Sequence, residues 1–145
     1  MQAVIFVGVP GSGKSSFYKE RFFATHVRIN LDMLKTRHRE GLLVRACLAA
    51  LQPFVVDNTN LWASHRAVYI GLARAAGFRV EGYYFDVSLG DALRRNAQRE
   101  GRAAIPRGAV AAAFKRIQKP TVDEGFDALY VVRVAAEGFS VEAWP

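Results

Sequence analysis

Short apolar runs alternate with longer amphipathic stretches along most of the chain. The runs are rich in Val, Ile and Phe, as is typical of strands buried on both faces of a sheet. The stretches between them place apolar residues at helical spacing. Strands are predicted over residues 3–7, 26–30, 54–57, 79–86 and 128–134. Helices are predicted over residues 16–23, 33–51, 64–76, 89–100 and 106–119.

This alternation of strands and helices predicts an α/β fold. Strands joined through helices form βαβ units, so we expect about five strands in a mainly parallel sheet with helices on both faces. The length of 145 residues fits a single domain over residues 1–145. Residues 139–144 follow a Glu137-Gly138 turn and could form a hairpin or a tail. Ligands of such a sheet bind beyond the C-terminal ends of its strands.

The first predicted strand leads directly into GVPGSGKS, which fits G-x-x-x-x-G-K-[ST] at every fixed position. The backbone N–H groups of this loop and the following helix N-terminus form an anion site. Lys14 would reach the β- and γ-phosphates, and Ser15 would hold Mg²⁺. No N-K-x-D or D-x-x-G pattern accompanies the loop, so ATP is the favoured nucleotide. The candidate nucleotide-binding residues here are Gly8, Pro10, Gly11, Ser12, Gly13, Lys14, Ser15 and Ser16.

A second group of polar residues follows the third strand, in FVVDNTN. Asp57 stands where a P-loop enzyme carries the acid that holds Mg²⁺, directly or through water. Asn60 extends the same polar segment toward the expected substrate. The alternative is an ordinary turn, because Asp and Asn favour turns for their local hydrogen bonds.

Charge is concentrated in one part of the sequence. The formal net charge is +7, and residues 94–119 carry eight basic residues against one acidic residue, while the remainder is balanced. Such a localised field favours a polyanionic ligand, although a solvated helix would have the same composition. Arg95, Arg99 and Arg102 share one helical face, so a lid over about residues 94–119 could close on the triphosphate.

Cysteine usage and hydropathy bear on the cellular setting. The single cysteine, Cys47, cannot form an internal disulfide, and no apolar run approaches the roughly 20 residues of a membrane span. The apolar N-terminus has no basic start and is predicted to be a strand rather than a signal peptide. A cytoplasmic protein without membrane contact is therefore expected. The oligomeric state is left open.

The motifs GVPGSGKSSF, INLDML, VVDNTN, RRNAQRE and PTVDEGFD, in this order and spacing, resemble the kinase domain of polynucleotide 5′-hydroxyl kinases. The resemblance extends over about residues 3–132. It implies a three-layer P-loop kinase fold with a helical lid, ATP as the phosphate donor and Mg²⁺ as the cofactor. It also implies a 5′-hydroxyl end of RNA or DNA as the acceptor.

The resemblance implies a role for several residues. Asp32 would be the general base for the 5′-hydroxyl, and Lys35 would contact a phosphate of the acceptor. Arg95 and Arg99 would contact the donor phosphates, with Lys14 and Arg99 acting in catalysis. Asp57 would be the strand-end acid of the site. Residues 121–126 would lie near the adenine.

Alternatives remain open at this stage. Asp32 directly precedes Met33-Leu34 and could simply cap a helix. Leu31 stands where the family usually has a basic residue, which bears on the grip on a nucleic acid. A kinase with a small acceptor such as a nucleoside or sugar, or a regulatory ATPase that transfers nothing, would carry the same phosphate loop.

Overall fold

The molecule is built on one sheet with helices packed on both faces. The computed structural model describes residues 1–99 and 105–145. Its strands are β1 (Gln2–Val7), β2 (Val27–Ile29), β3 (Phe54–Val56), β4 (Arg79–Phe85), β5 (Ala128–Ala135) and β6 (Gly138–Ala143). Its helices are α1 (Lys14–Arg21), α2 (Leu31–Leu34), α3 (Arg37–Ala50), α4 (Ala63–Ala75), α5 (Leu89–Ala97) and α6 (Arg107–Arg116).

The sheet has the strand order β2-β3-β1-β4-β5-β6. Strands β1 to β5 pair in parallel with their neighbours. Strand β6 pairs with β5 in antiparallel register, with Gly138 opposite Ala135. The predicted mainly parallel α/β sheet is confirmed. The open question about residues 139–144 is answered by a hairpin, which adds a sixth strand to the five that were predicted.

Strand β1 lies at the centre of the sheet, and its side chains alternate between two cores. Ala3, Ile5 and Val7 pack into the core that includes residues of α3 and α4. Val4 and Phe6 pack into the opposite core, which includes aromatic residues of α1. All five side chains are fully buried. The predicted three-layer arrangement is therefore confirmed, and β1 holds the phosphate loop at its C-terminal end.

The helix predicted over residues 33–51 is wrong as a single element. The helix is interrupted at Lys35, whose φ is 75°, and this interruption separates α2 from α3. Thr36 then caps α3, its hydroxyl accepting a hydrogen bond from Arg39 N at 3.1 Å. The capping hydroxyl outweighed the continuous apolar spacing. Within the described part of the chain, no helix is long and apolar enough to cross a bilayer.

The segment predicted to be a lid, about residues 94–119, includes the end of α5 and all of α6, and these two helices pack together beside the phosphate loop. Their small core contains Val9 of the loop with Ala92, Val110 and Ala113. The helix predicted to extend to residue 100 ends at Ala97, and residues 100–104 lie outside the described residues.

Candidate active site

The phosphate loop has the conformation that its glycines allow. Gly11 and Gly13 adopt φ values of 81° and 96°, which residues with a side chain rarely adopt. Helix α1 begins at the next residue, Lys14. The Lys14 ammonium folds back and donates to the carbonyls of Gly8 and Val9, both at 2.9 Å. Carbonyl groups of the loop thus hold its own lysine, at the residue where α1 begins.

Two of the loop glycines also permit close contacts with neighbouring elements. A Cβ on Gly11 would collide with the carbonyl oxygen of Ala92 in α5. A Cβ on Gly13 would lie 3.2 Å from Arg95 Nη1 and 3.1 Å from a ring carbon of Phe139. The lid helix and the β6 hairpin therefore both approach the loop. The approach of Phe139 has no counterpart in the sequence pattern.

A cleft of about 380 Å³ opens beside the loop. Two of the predicted arginines, Arg95 and Arg99, line it together with residues of the phosphate loop. Gln98, which the sequence did not single out, also lines the cleft. The third predicted arginine, Arg102, lies outside the described residues. The cleft is lined by Gly11, Gly13, Lys14, Ser15, Ser16, Arg95, Gln98 and Arg99.

The other predicted loop residues lie at the back of this cleft. Gly8 accepts the Lys14 hydrogen bond, and Pro10 is buried. Ser12 is 3% exposed, and its hydroxyl has no hydrogen-bond partner among the residues that the structure describes. An unpaired hydroxyl in a phosphate loop is a polar group that a bound phosphate could satisfy.

Electrostatics link Lys14 to the other charged groups of the site. Burial lowers the pKa of Lys14 from 10.5 to about 8. The charge of Asp57 opposes this effect, Arg99 adds to it, and Asp32 opposes it more weakly than Asp57. The predicted catalytic residues therefore share one local field, with two acids and an arginine around the lysine.

Asp57 lies beside the phosphate loop, as the end of a neighbouring parallel strand should. Ser15 Oγ donates to Asp57 Oδ2 at 3.3 Å. Arg28 of β2 donates from Nε to the same oxygen at 2.8 Å and from Nη2 to Ser15 Oγ at 3.1 Å. Asp57 is 1% exposed, so the arginine neutralises a buried carboxylate. Arg28 was missed, although an arginine within the apolar VRI strand was a readable signal.

The donor set fits Mg²⁺. A serine hydroxyl next to a carboxylate supplies the hard oxygen ligands that this ion prefers, with nucleotide phosphates and water completing its coordination. Ser15 directs its proton toward Asp57, which leaves lone-pair capacity on the hydroxyl oxygen for a cation. Arg28 would compete with the ion for both oxygens, because it donates to Asp57 Oδ2 and to Ser15 Oγ.

Asp32 lies in the first turn of α2 and is exposed. The alternative that it caps this helix is wrong, because Asn30 is the cap: its Oδ1 accepts from Met33 N at 2.9 Å. Asn30 Nδ2 also donates to the Asp57 carbonyl at 2.6 Å, which fastens the turn to the end of β3. Lys35, the C-cap of α2, is exposed.

Two predicted contacts lie apart from the cleft. The side chain of Asn60 is committed to the sheet, since Asn60 is 4% exposed and its Nδ2 donates to the Phe6 carbonyl at 2.8 Å. The segment 121–126 packs against α4 through a bidentate pair between Arg66 and Glu124 at 2.7 and 3.0 Å. None of the described residues that line the phosphate cleft comes from this segment. Asn60 thus fastens the segment after β3 to β1 and does not line the cleft.

The strand order, the loop at the end of β1 and the helical pair above it define a protein of the P-loop kinase class. A family model described as an AAA domain matches residues 4–120, and the chain belongs to this family.

Two named relatives and one solved structure illustrate the relationship. The chain is 30% identical over 132 residues to a bifunctional polynucleotide phosphatase/kinase of Schizosaccharomyces pombe, covering 86% of this chain and 32% of the relative. It is 34% identical over 74 residues to a putative bifunctional polynucleotide phosphatase/kinase of Acanthamoeba polyphaga mimivirus, covering 50% and 18%. The matched residues thus span about a third of the length of the first relative and 18% of the length of the second. A gluconokinase structure from Sinorhizobium meliloti 1021 has the same fold, with a TM-score of 0.64 at 20% identity over 92% of this chain and 83% of that one.

Proposed function

We propose that the protein is an ATP- and Mg²⁺-dependent kinase that phosphorylates the 5′-hydroxyl end of RNA or DNA. The observation that carries the proposal is the placement of an exposed acid, Asp32, on a turn that Asn30 fastens to the end of β3, where Asp57 contacts Ser15 of the phosphate loop. Simple nucleotide binding does not require this second, exposed acid. The named polynucleotide phosphatase/kinases among the relatives support a nucleic acid as the acceptor.

The donor side would be built from the phosphate loop. Backbone N–H groups at the start of α1 would bind the phosphates, and Lys14 would leave the carbonyls of Gly8 and Val9 to bind them as well. Mg²⁺, held by Ser15 and aided by Asp57, would neutralise charge on the β- and γ-phosphates. Arginines bind phosphate oxygens with a planar fork, so Arg95 and Arg99 would stabilise the charge that spreads during transfer.

The acceptor side would be built from α2. Asp32 would accept the proton of the 5′-hydroxyl, or hold the hydroxyl in line with the γ-phosphate, within hydrogen-bond reach. Lys35, exposed at the end of the same short helix, would bind a phosphate of the acceptor strand. Attack by the hydroxyl oxygen on the γ-phosphorus would then release ADP and leave a 5′-phosphate.

The direct test is transfer of label from γ-labelled ATP to oligonucleotides with a 5′-hydroxyl, in the presence of Mg²⁺. We expect label at the 5′ end, and none when the acceptor already carries a 5′-phosphate. The same reactions with RNA, single-stranded DNA and duplex ends would identify the acceptor. Absence of label on every polynucleotide would refute the proposal.

Replacing the acid provides the mutational test. Asp32→Asn should lower kcat for transfer by about 100-fold or more, because general-base catalysis contributes roughly 10²–10⁴-fold. The dissociation constant for ATP should stay within about threefold, since Asp32 does not line the phosphate cleft. Equal losses of transfer and ATP binding would instead identify Asp32 as a structural residue.

A kinase with a small acceptor is the second candidate. It is favoured by Leu31, an apolar residue directly before Asp32 at the mouth of the acceptor side. Nucleosides and gluconate added to the labelling assay would separate the two candidates. A product from either compound, without label on polynucleotides, would favour the small acceptor.

The proposed activity also suggests a setting. A strand with a 5′-hydroxyl needs a 5′-phosphate before it can be joined to another strand, so the enzyme would serve the repair of nucleic acid ends. Because the only cysteine, Cys47, is buried and unpaired, a reducing compartment such as the cytoplasm is the expected location.

A further inference from the structure

A buried acid lies behind the turn that carries Asp32. Glu40, in the first turn of α3, is 4% exposed. Its Oε1 accepts hydrogen bonds from Tyr69 Oη at 2.6 Å and Arg37 Nη1 at 3.0 Å. Its Oε2 accepts one from Asn58 Nδ2 at 2.8 Å. Glu40, Arg37, Asn58 and Tyr69 form the Glu40 cluster. The functional motifs do not include Glu40, Arg37 or Tyr69.

Asn58 connects the Glu40 cluster to the acceptor side. Its Oδ1 accepts a hydrogen bond from Leu31 N at 2.8 Å. A carboxylate can only accept and a backbone N–H can only donate, so the amide of Asn58 has one permitted orientation. Leu31 is the first residue of α2, where backbone N–H groups have no partner within the helix.

The position of α2 therefore depends on contacts outside the helix. Four residues form only one turn, which is too short to be stable alone. Asn30 fastens the turn to β3, and Asn58 supplies the second attachment, at the residue directly before Asp32. These two asparagines therefore set the position of the backbone that carries Asp32.

We propose that Glu40 is a positioning residue for phosphoryl transfer: it fixes the amide of Asn58, which in turn holds the first turn of α2 so that Asp32 faces the reacting hydroxyl. A buried carboxylate is costly, and an apolar residue among the side chains between α3 and α4 would serve packing better. Its value lies in imposing one hydrogen-bond direction on the chain that ends at Leu31 N. This inference rests on the proposed role of Asp32.

Glu40→Gln tests the direction of the hydrogen bonds with little change in shape. Arg37 can only donate, and it donates to Tyr69 Oη at 3.0 Å as well as to Glu40. The Tyr69 hydroxyl therefore accepts from Arg37 and directs its own proton to Glu40 Oε1. The glutamine oxygen must face these two donors, which turns its NH₂ group toward Asn58. Asn58 must then flip and present its own NH₂ group to Leu31 N, where two donors repel.

We expect Glu40→Gln to lower kcat about 10–100-fold, because a small misplacement of a catalytic group has effects of this size. The ATP dissociation constant should change less than twofold, since Glu40 does not line the phosphate cleft. Glu40→Gln with Asn58→Asp reverses only the hydrogen bond between residues 40 and 58, so that every donor again has an acceptor and Leu31 N again donates to residue 58. The total charge of this double variant equals that of the wild type. Its kcat should return to within about threefold of the wild-type value. The single Asn58→Asp variant completes the cycle and should be as slow as Glu40→Gln.

Asp127→Asn is the matched control. It is also a change from carboxylate to amide at a residue that accepts from a backbone N–H, Val80 N at 2.8 Å, but at the opposite edge of the sheet. Its kcat should equal that of the wild type, even where its melting temperature falls. Glu40→Gln, the double variant and this control are compared at equal folded fraction.

The outcomes separate the inference from the proposed function. A wild-type protein that labels no 5′-hydroxyl end defeats the proposed function. An active wild type with an unaffected Glu40→Gln variant defeats the inference. The same conclusion follows if the double variant recovers the melting temperature without kcat, because Glu40 then has only a structural role. Should Glu40→Gln fail to fold, a folded double variant with near wild-type kcat supports the inference, and a slow or unfolded one overturns it.

Discussion

Lys14 is a cation in surroundings that disfavour its charge. In the free protein its ammonium is partly buried and donates hydrogen bonds to the carbonyls of Gly8 and Val9, which carry no full negative charge. Its pKa near 8 reflects this cost, only partly offset by Asp57. A triphosphate brings several negative charges to the same atom. Nucleotide binding should therefore raise the pKa of Lys14.

This change should be visible as proton uptake. Above pH 8 the free protein has increasingly neutral Lys14, whereas bound phosphates raise the lysine pKa and favour the ammonium. ATP binding should therefore take up close to one proton near pH 9, and its affinity should approach a tenfold loss per pH unit above about 8. Calorimetry in two buffers of different ionisation enthalpy measures the uptake.

Lys14→Met is the control for this titration. It should weaken ATP binding at every pH and remove the additional loss above pH 8. Proton uptake of the same size in Lys14→Met would assign the titration to another group.

At the scale of elements, the sequence predicted the strands and the phosphate loop well, because these depend on local pattern. It failed where a polar contact decided the local structure. The apolar spacing through Leu34 and Leu42 favoured one long helix, and only the capping threonine, Thr36, indicated a break. The link from Asn58 to Leu31 joins residues 27 positions apart and has no local signature. Arg28 and the Glu40 cluster were missed for the same reason.

The break between α2 and α3 allows a test of Lys35. Its φ of 75° is unfavourable for a side chain, and glycine adopts it freely. Lys35→Gly should therefore change the free energy of unfolding by between zero and about 1 kcal/mol in the stabilising direction. The KM for a 5′-hydroxyl oligonucleotide should rise, because the proposed phosphate contact is lost, whereas Lys35→Arg should keep the wild-type KM. Chemical denaturation and initial-rate kinetics measure the two effects.

An unchanged KM in Lys35→Gly would show that this lysine only closes α2. A large loss of stability would show that its side chain packs, which its exposure argues against.

The contact between the phosphate loop and α5 can be tested with glycines. Gly11→Ala places a Cβ against the Ala92 carbonyl and also strains a φ of 81°. It should raise the KM for ATP at least tenfold and destabilise the fold by about 1–3 kcal/mol. Gly90→Ala, in the same helix, has nothing within 4 Å of the added Cβ. That variant should keep its KM and gain about 0.5–1 kcal/mol of stability.

If Gly11→Ala binds ATP as tightly as the wild type, the close packing of loop and lid helix has no role in the nucleotide site. Equilibrium binding of ATP and thermal unfolding of both variants decide this.

At the scale of the whole molecule, the burial of two acidic residues leaves a second surface with a net positive charge. The sequence balances its charges outside residues 94–119, but between residues 33 and 80 the only acids are Glu40 and Asp57, which are 4% and 1% exposed. The cations of this region largely stay at the surface. At the acceptor side itself, the end of α2 and the start of α3 place Lys35, Arg37 and Arg39 at the surface. The other exposed cations of the region are Arg45, Arg74 and Arg79, of which Arg74 pairs with Asp127 and Arg79 with Glu81.

This surface predicts a steep salt dependence for a polynucleotide acceptor. If about three phosphates of a single strand are contacted, KM should rise about 20-fold between 50 and 200 mM salt, measured at saturating ATP. A nucleoside 3′-phosphate, which offers one phosphate, should show a much smaller rise. A salt-independent KM for long oligonucleotides would contradict a polynucleotide acceptor and favour a small one.

Both ends of the described chain lie at the edge of the sheet opposite the phosphate loop. Arg79 N, at the start of β4, donates to the Met1 carbonyl at 2.9 Å, and Trp144 N donates to the Leu129 carbonyl near the start of β5 at 2.8 Å. The reversal of direction in β6 brings the C-terminus back to this edge. A fluorophore, an affinity tag or a surface tether joined at either end would therefore stand clear of arriving substrates. Immobilised protein should keep the turnover of protein in solution.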